Sequence, residues 1–290
     1  MLTFRDHAIW HERHYGGART PILVLHGGPG ATHDYLEPLA TLTASGRDVL
    51  FYDQIGCGKS QAISDPALLT PALFVAEIDA IREQLDLANV FIIGQSWGGM
   101  LAMEYALTKP RGLRGMVVAD SPSDMTLWVQ EANRLRRELP ADVQATLNQH
   151  EADGTTDDPA YEAAVDVFYK RHVCRLDPFP DCVKRTFANI AANPTVYHTM
   201  NGPSEFHVIG TLKDWNITPR LGEIAVPTLV ISGRYDEATP EIAGRVHRGI
   251  PKSEWIVFEE SSHMPHVEEA EAFNAAVLAF FDRHEDARNA

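Results

Sequence analysis

Apolar positions in the first 120 residues fall in short, unbroken blocks: TPILVLH at 20–26, RDVLFYD at 47–53, NVFIIG at 89–94 and LRGMVVAD at 113–120. A run without polar alternation buries both faces of a strand, as the inner strands of a parallel sheet do. Between the second and third blocks the period lengthens. In TPALFVAEIDAIREQLDL, Phe74, Ile78, Ile81 and Leu85 share one helical face, with Thr70 placed as the cap and Pro71 at the first helical position. This alternation of strand, helix and strand predicts a parallel sheet wrapped by helices.

From 121 to 222 no sheet strand is predicted and helical spacing dominates. Trp128, Leu135 and Leu139 form one stripe; Tyr161, Val165 and Phe168 form another behind Asp158 and Pro159. Strand signals return in VPTLVISG (226–233) and SEWIVFE (253–259), and a last amphipathic helix presents Phe273, Val277 and Phe280. The expected organisation is a sheet core over 1–120, a mostly helical cap inserted over 121–222, and the core resumed over 223–290.

Charge and composition narrow the function. A formal net charge of −15 disfavours a surface that tracks nucleic-acid phosphates, which needs clustered Lys and Arg. The three cysteines, Cys57, Cys174 and Cys182, form no CxxC, and the histidines form no HExxH, so neither a metal nor another cofactor is expected. The first residues, MLTFRDHAIWHERHYGG, carry charges every few positions, unlike a signal peptide, and no apolar run approaches the roughly 18 residues of a membrane helix. The expectation is a cytoplasmic protein with no nucleic-acid or membrane partner. Oligomeric state is not legible.

The chemistry lies at the ends of the predicted strands. GQSWG at 94–98 matches G-x-S-x-G between the strand NVFII and the apolar helical stretch MLAMEYAL, the setting that exposes a nucleophilic serine, here Ser96. GCGKS at 56–60 fails as a phosphate-binding loop because Asp53 stands where that pattern needs glycine, and Cys57 reads as a small turn residue. A nucleophilic serine needs a base and an orienting carboxylate, in the order serine, acid, histidine along a sheet-topped hydrolase. Asp236 follows VPTLVISGRY and His263 follows SEWIVFEESS. His266 is the competing base, less favoured because it falls where the next helix begins; Asp120, after an earlier strand, is the alternative acid. In HGGPG at 26–30 the glycines let backbone N–H groups turn towards the serine, so Gly28 with Trp97 is the expected oxyanion hole, and His26 a structural residue.

Taken together, HGGPG, YDQIGCGKS, GQSWGGM, GRYDEATP and SSHMPHVEE resemble the proline iminopeptidase family of α/β-hydrolases, essentially end to end. Within the insert, ANRLRRELP (132–140) and PTVYHTMNGPSEFHVIGTLKDW (194–215) are similar to bacterial L-proline amide hydrolases, also called L-amino acid amidases. The resemblance implies an α/β-hydrolase fold, with a mostly parallel central sheet flanked by helices and a helical cap. It implies a small-molecule or short peptide substrate with a free α-amino group, whose ammonium is held by Glu205 in NGPSEF and Glu237 in YDEATP. Cleavage of the following amide would run through a Ser-His-Asp triad and an aminoacyl-enzyme. Two alternatives stay open: removal of an aminoacyl group from a natural-product intermediate of the macrolactam type, and an esterase or lactonase without amine recognition. Trp97, Phe206, Trp128 and Trp215 are candidate pocket walls.

Overall fold

The computed structural model of the chain describes residues 1–285. Among these residues nine strands form two sheets. A short antiparallel hairpin, β1 (Leu2–Phe4) with β2 (His7–Ile9), stands apart. The main sheet contains β3 (His11–His14), β4 (Arg19–Leu25), β5 (Arg47–Tyr52), β6 (Val90–Gln95), β7 (Leu113–Ala119), β8 (Thr228–Gly233) and β9 (Ser253–Phe258), in the order β3-β5-β4-β6-β7-β8-β9. Every pair is parallel except β3 with β5. The chain runs outward from β4 to β5 and then returns to β6 on the other side of β4. The strand order therefore reverses at the carboxyl ends of β4 and β6, where open α/β sheets bind ligands.

The unbroken apolar blocks bury on two faces, as their pattern requires. Leu23, Leu25, Ile92 and Val118 pack on one side with α1 (Pro71–Gln84), α2 (Trp97–Leu107) and, after β8, α8 (Pro240–Gly249). Ile22, Val24, Ile93 and Val117 pack on the other against a 3₁₀ run over His33–Ser45 and the closing helix, Ala270–His284. Thr70 caps α1, its hydroxyl accepting from the Leu73 N–H at 3.4 Å.

Between β7 and β8 lie α3 (Met125–Arg136), α4 (Ala141–Asp153), α5 (Pro159–His172), α6 (Asp181–Ala192) and α7 (Thr195–Met200). Helices α3 to α5 share a small core of their own around Leu135, Leu147, Tyr161, Phe168 and Phe206. The predicted stripe on α3 divides: Leu135 enters that core, whereas Trp128, one heptad earlier, packs with Met125 into the core beneath the sheet's edge. Helix α6 docks instead on the 3₁₀ run. Arg185 meets Asp34 at 3.0 Å and Asn189 donates to the same carboxylate at 3.0 Å, while the Tyr35 N–H donates to the Thr186 hydroxyl at 3.1 Å. After β9, α9 (Pro265–Glu268) leads into α10, the closing helix named above. Among the described residues no helix is long and apolar enough to cross a membrane.

Candidate active site

Ser96 stands between β6 and α2 with φ 57° and ψ −124°, a backbone conformation that side chains other than glycine rarely adopt. Tight crossing explains the flanking glycines. A Cβ on Gly94 would lie 2.1 Å from the Gly98 carbonyl oxygen, and one on Gly98 would lie 2.0 Å from that of Leu25. Ser96 opens on a narrow pocket whose walls include Gly28, Trp97, Met100, Trp128 and Glu205. Trp97 is the first residue of α2, where N–H groups have no carbonyl four residues back and remain available to an anion. Gly28, at φ 106°, brings the turn after β4 to the same pocket.

A single amide side chain ties this arrangement together. Tyr35 Oη accepts from the Gly27 N–H at 2.8 Å and donates to Gln95 Oε1 at 2.5 Å, and Gln95 Nε2 donates to the His263 carbonyl at 2.7 Å. The glycine loop, the residue before Ser96 and the histidine loop are thus mutually fixed. His26 sits behind them, its Nε2 accepting from the Gln54 N–H at 2.9 Å, while Gln54 Oε1 receives the Trp97 indole N–H at 2.8 Å. Burial lowers the His26 pKa, in keeping with a neutral, structural imidazole.

His263 Nδ1 lies 2.6 Å from Asp236 Oδ1, which also accepts from the Ala238 N–H at 2.8 Å. Burial opposes the protonated imidazole, but the charge and hydrogen bond of Asp236, with Glu205 and Glu268 beyond, outweigh it and raise the pKa. Trp128 meets the ring edge-on at 6.0 Å between centroids. His266 is placed differently: it lies on α9, its Nε2 3.2 Å from the Tyr35 carbonyl, and burial lowers its pKa to about 3. Asp120 lies beside Asp236 rather than His263: burial, then the neighbouring Asp236 carboxyl, pushes its pKa well up.

Glu237 has no exposed surface, and both carboxyl oxygens lack a hydrogen-bond partner among the described residues. The nearest basic atom recorded is His263 Nε2, 3.8 Å from Oε1. Burial, then the neighbouring Glu205 and Asp236 carboxyls, push its pKa well up. Glu205 is half-buried and better supported: Tyr197 Oη donates to its Oε1 at 2.6 Å, and its backbone carbonyl accepts from the Trp128 indole at 2.6 Å. Burial raises its pKa too, against the Tyr197 hydrogen bond and the charge of His263. The two acids thus come from a cap loop and the turn after β8 to neighbouring places beside the pocket.

Two of the expected walls lie elsewhere. Phe206 belongs to the cap core, 4.8 Å from the Phe168 ring and beneath Arg136, and the Trp215 indole donates to Glu104 at 2.8 Å. Gln95 fills the variable position of GQSWG, Tyr197 lies in the stretch 194–215 and Tyr35 in no motif, and the role of each emerges only from the packing. His33, Asp34 and Glu37 are spaced as metal ligands would be, but Asp53 already engages His33, and Arg185 both acids.

Residues 20–270 match the model of a family described as alpha/beta hydrolase fold. The proline iminopeptidase of Saccharolobus solfataricus is 41% identical over 268 residues, covering 92% of this chain and 86% of that protein. The crystal structure of VinJ superposes with a TM-score of 0.95 at 44% identity, over 98% of this chain and 97% of the other. That of a proline iminopeptidase from Mycobacterium smegmatis gives 0.91 at 43% identity, over the same shares.

Proposed function

The chain belongs to the proline iminopeptidase family of α/β-hydrolases, serine hydrolases that act on peptide bonds, and from that premise we propose that it removes an amino-terminal residue bearing a free α-amine. The observation that carries the reading is the buried, unpartnered Glu237 carboxyl beside the pocket of Ser96. A buried acid without donors is costly unless a cation arrives to pair with it. An α-amino group, with a pKa of roughly 7.7 to 8.0, supplies one at neutral pH.

Glu237 and Glu205 hold the ammonium, which sets the adjacent carbonyl carbon over Ser96. His263 Nε2 takes the hydroxyl proton as Ser96 Oγ attacks, and the N–H groups of Gly28 and Trp97 receive the oxyanion. His263 then returns that proton to the leaving nitrogen, breaking the C–N bond. Water, deprotonated by the same imidazole, cleaves the aminoacyl ester and frees the amino acid. Asp236 keeps the imidazole in the tautomer that presents Nε2 to the serine.

A second observation bears on the leaving group. A groove of about 990 Å³ runs between α5 and α6, with Tyr169, Phe179, Phe187 and Ile190 along it, and reaches Tyr197 and Glu205. Its size and lining suit a bulky, largely apolar amine. It favours the aminoacyl-removing alternative over hydrolysis of simple amides.

The test compares an L-prolyl p-nitroanilide, its N-acetyl counterpart and p-nitrophenyl acetate. Strong preference for the free amine, lost on acetylation, is expected. Brisk turnover of the acetate with both anilides inert would instead identify an esterase without amine recognition.

A further inference from the structure

Behind the histidine the structure places two acids where the triad needs one. Asp120 directly follows β7 with φ 55°, its N–H bonded to the Ile231 carbonyl of β8 at 2.8 Å, and Asp236 lies in the turn after β8, so the parallel pairing of the two strands sets the acids side by side. Neither is exposed by more than 1%. Their oxygens are unequally served. Asp236 Oδ1 has both the Ala238 N–H at 2.8 Å and His263 Nδ1 at 2.6 Å, whereas Asp120 Oδ1 has one long contact from the Gly233 N–H at 3.3 Å. Neither Asp236 Oδ2 nor Asp120 Oδ2 has a hydrogen-bond donor among the described residues.

Two carboxylates in contact in a buried site cannot both stay ionised, and one proton between them removes the conflict. It resides on the acid with fewer donors. We infer that Asp120 is a positioning residue: as a carboxylic acid it donates its O–H to Asp236 Oδ2, fixing the carboxylate plane that aims Oδ1 at His263. Burial first, then Asp236, raises the Asp120 pKa well above the carboxylate range, in agreement with that geometry. The ionisable groups around the pair are His263, Glu237 and Glu205 on the pocket side, Glu268 on α9, His172 on α5, and Tyr35 on the 3₁₀ run. None of them offers a donor to Asp236 Oδ2.

The inference rests on Asp236 being the triad acid, as proposed above, and the variants separate the two claims. In Asp120→Asn the amide N–H replaces the O–H and the amide oxygen still faces Gly233. In Asp120→Ala the donor is lost. For a hydrogen bond to a charged group, kcat of Asp120→Ala should fall about ten- to a hundred-fold, and Asp120→Asn should recover most of it. The acid limb of kcat/KM gives a second readout that folding alone would not move. A neutral Asp120 leaves that limb in place on going to Asn. An ionised one would lower the limb by about one pH unit or more, because a negative charge near His263 disappears. Overturning results are Asp120→Asn as impaired as Asp120→Ala, or an acid limb shifted down in Asp120→Asn. Retention of activity by Asp236→Asn alongside loss in Asp120→Ala would show that Asp120 is itself the triad acid, refuting the triad assignment and this pairing with it.

Discussion

Replacing Glu237 with Gln keeps the shape of the side chain and removes only its capacity for charge. At about 3 Å and an effective dielectric near 20, an ammonium and a carboxylate attract by roughly 5 kcal/mol. Much of that is offset by stripping water from the ammonium, leaving the net value of a charge-assisted hydrogen bond, about 1.5 to 3 kcal/mol. Since about 1.4 kcal/mol is a factor of ten, kcat/KM on a free-amine anilide should fall roughly ten- to 150-fold. Glu205, supported by Tyr197 at 2.6 Å, remains to hold the substrate, which keeps the loss below complete inactivation. The Asp236–His263 contact involves the other face of the imidazole, so the slow turnover of p-nitrophenyl acetate should change by less than about threefold. The assay is steady-state kinetics of both substrates on one preparation. A loss shared equally by ester and anilide would refute the reasoning, because it would place Glu237 in support of His263 rather than of the ammonium.

Three further outcomes follow from the same geometry. Tyr197→Phe removes the donor to Glu205 Oε1 and should cost roughly five- to tenfold in kcat/KM on free-amine substrates with the ester unaffected, measured side by side. Because the neutral imidazole is the base and its pKa is raised, activity should be present above that pKa and lost as pH falls through it, at a limb above the ordinary value of roughly 6.5. On the alkaline side kcat/KM should decline near the substrate's own ammonium pKa, a limb that an ester lacking the amine does not show; a pH profile of both substrates checks the two limbs. Gly98→Ala sets a Cβ 2.0 Å from the Leu25 oxygen, backbone against backbone, and should destabilise the fold by about 3 kcal/mol or more, lowering Tm by roughly 6 to 12 °C. An unchanged melting curve would mean that α2 tolerates a wider crossing over β4.

The parallel core was legible because its strands are buried on both faces and so lack polar positions; the alternation of Leu23 and Leu25 with Ile22 and Val24 between the two sides of the sheet is the structural form of that pattern. Strand β3 was not legible. HERH is an antiparallel edge strand, partly exposed and charged, and nothing in its sequence marks it as part of the same sheet. The 3₁₀ run over His33–Ser45 contains Pro38 and reads as a broken helix at best. At the site, motifs pointed to what lies on a turn after a strand, as with Ser96, and family resemblance alone pointed to Glu205 and Glu237, two acids that no spacing in the chain connects. Contacts between elements remote in sequence were out of reach: Tyr197 on Glu205, Gln95 on His263, and Asp120 against Asp236 depend on strand order and cap docking. Phe206 and Trp215 show the converse error, since an aromatic residue in a cap carries no sign of which side it will face.

Carboxyl groups outnumber basic groups around the base. Asp120, Asp236, Glu205, Glu237 and Glu268 all act on one another or on His263, and the cap adds no lysine or arginine to the pocket lining. Such a site is electrostatically incomplete until a cation enters, because burial holds Glu205 and Glu237 towards their neutral forms. Discrimination then arises from both directions. A free amine restores the charge of the carboxyls it meets, while an acylated amine or a plain ester occupies the same space and leaves buried polar oxygens unpaired, a penalty the site imposes without any clash. On the proposed reading, the acid beside the triad aspartate is tied to the chemistry by adjacency alone: the backbone turn that delivers Asp236 to His263 also carries Glu237, so positioning of the base and selection of the substrate would share one short loop after β8.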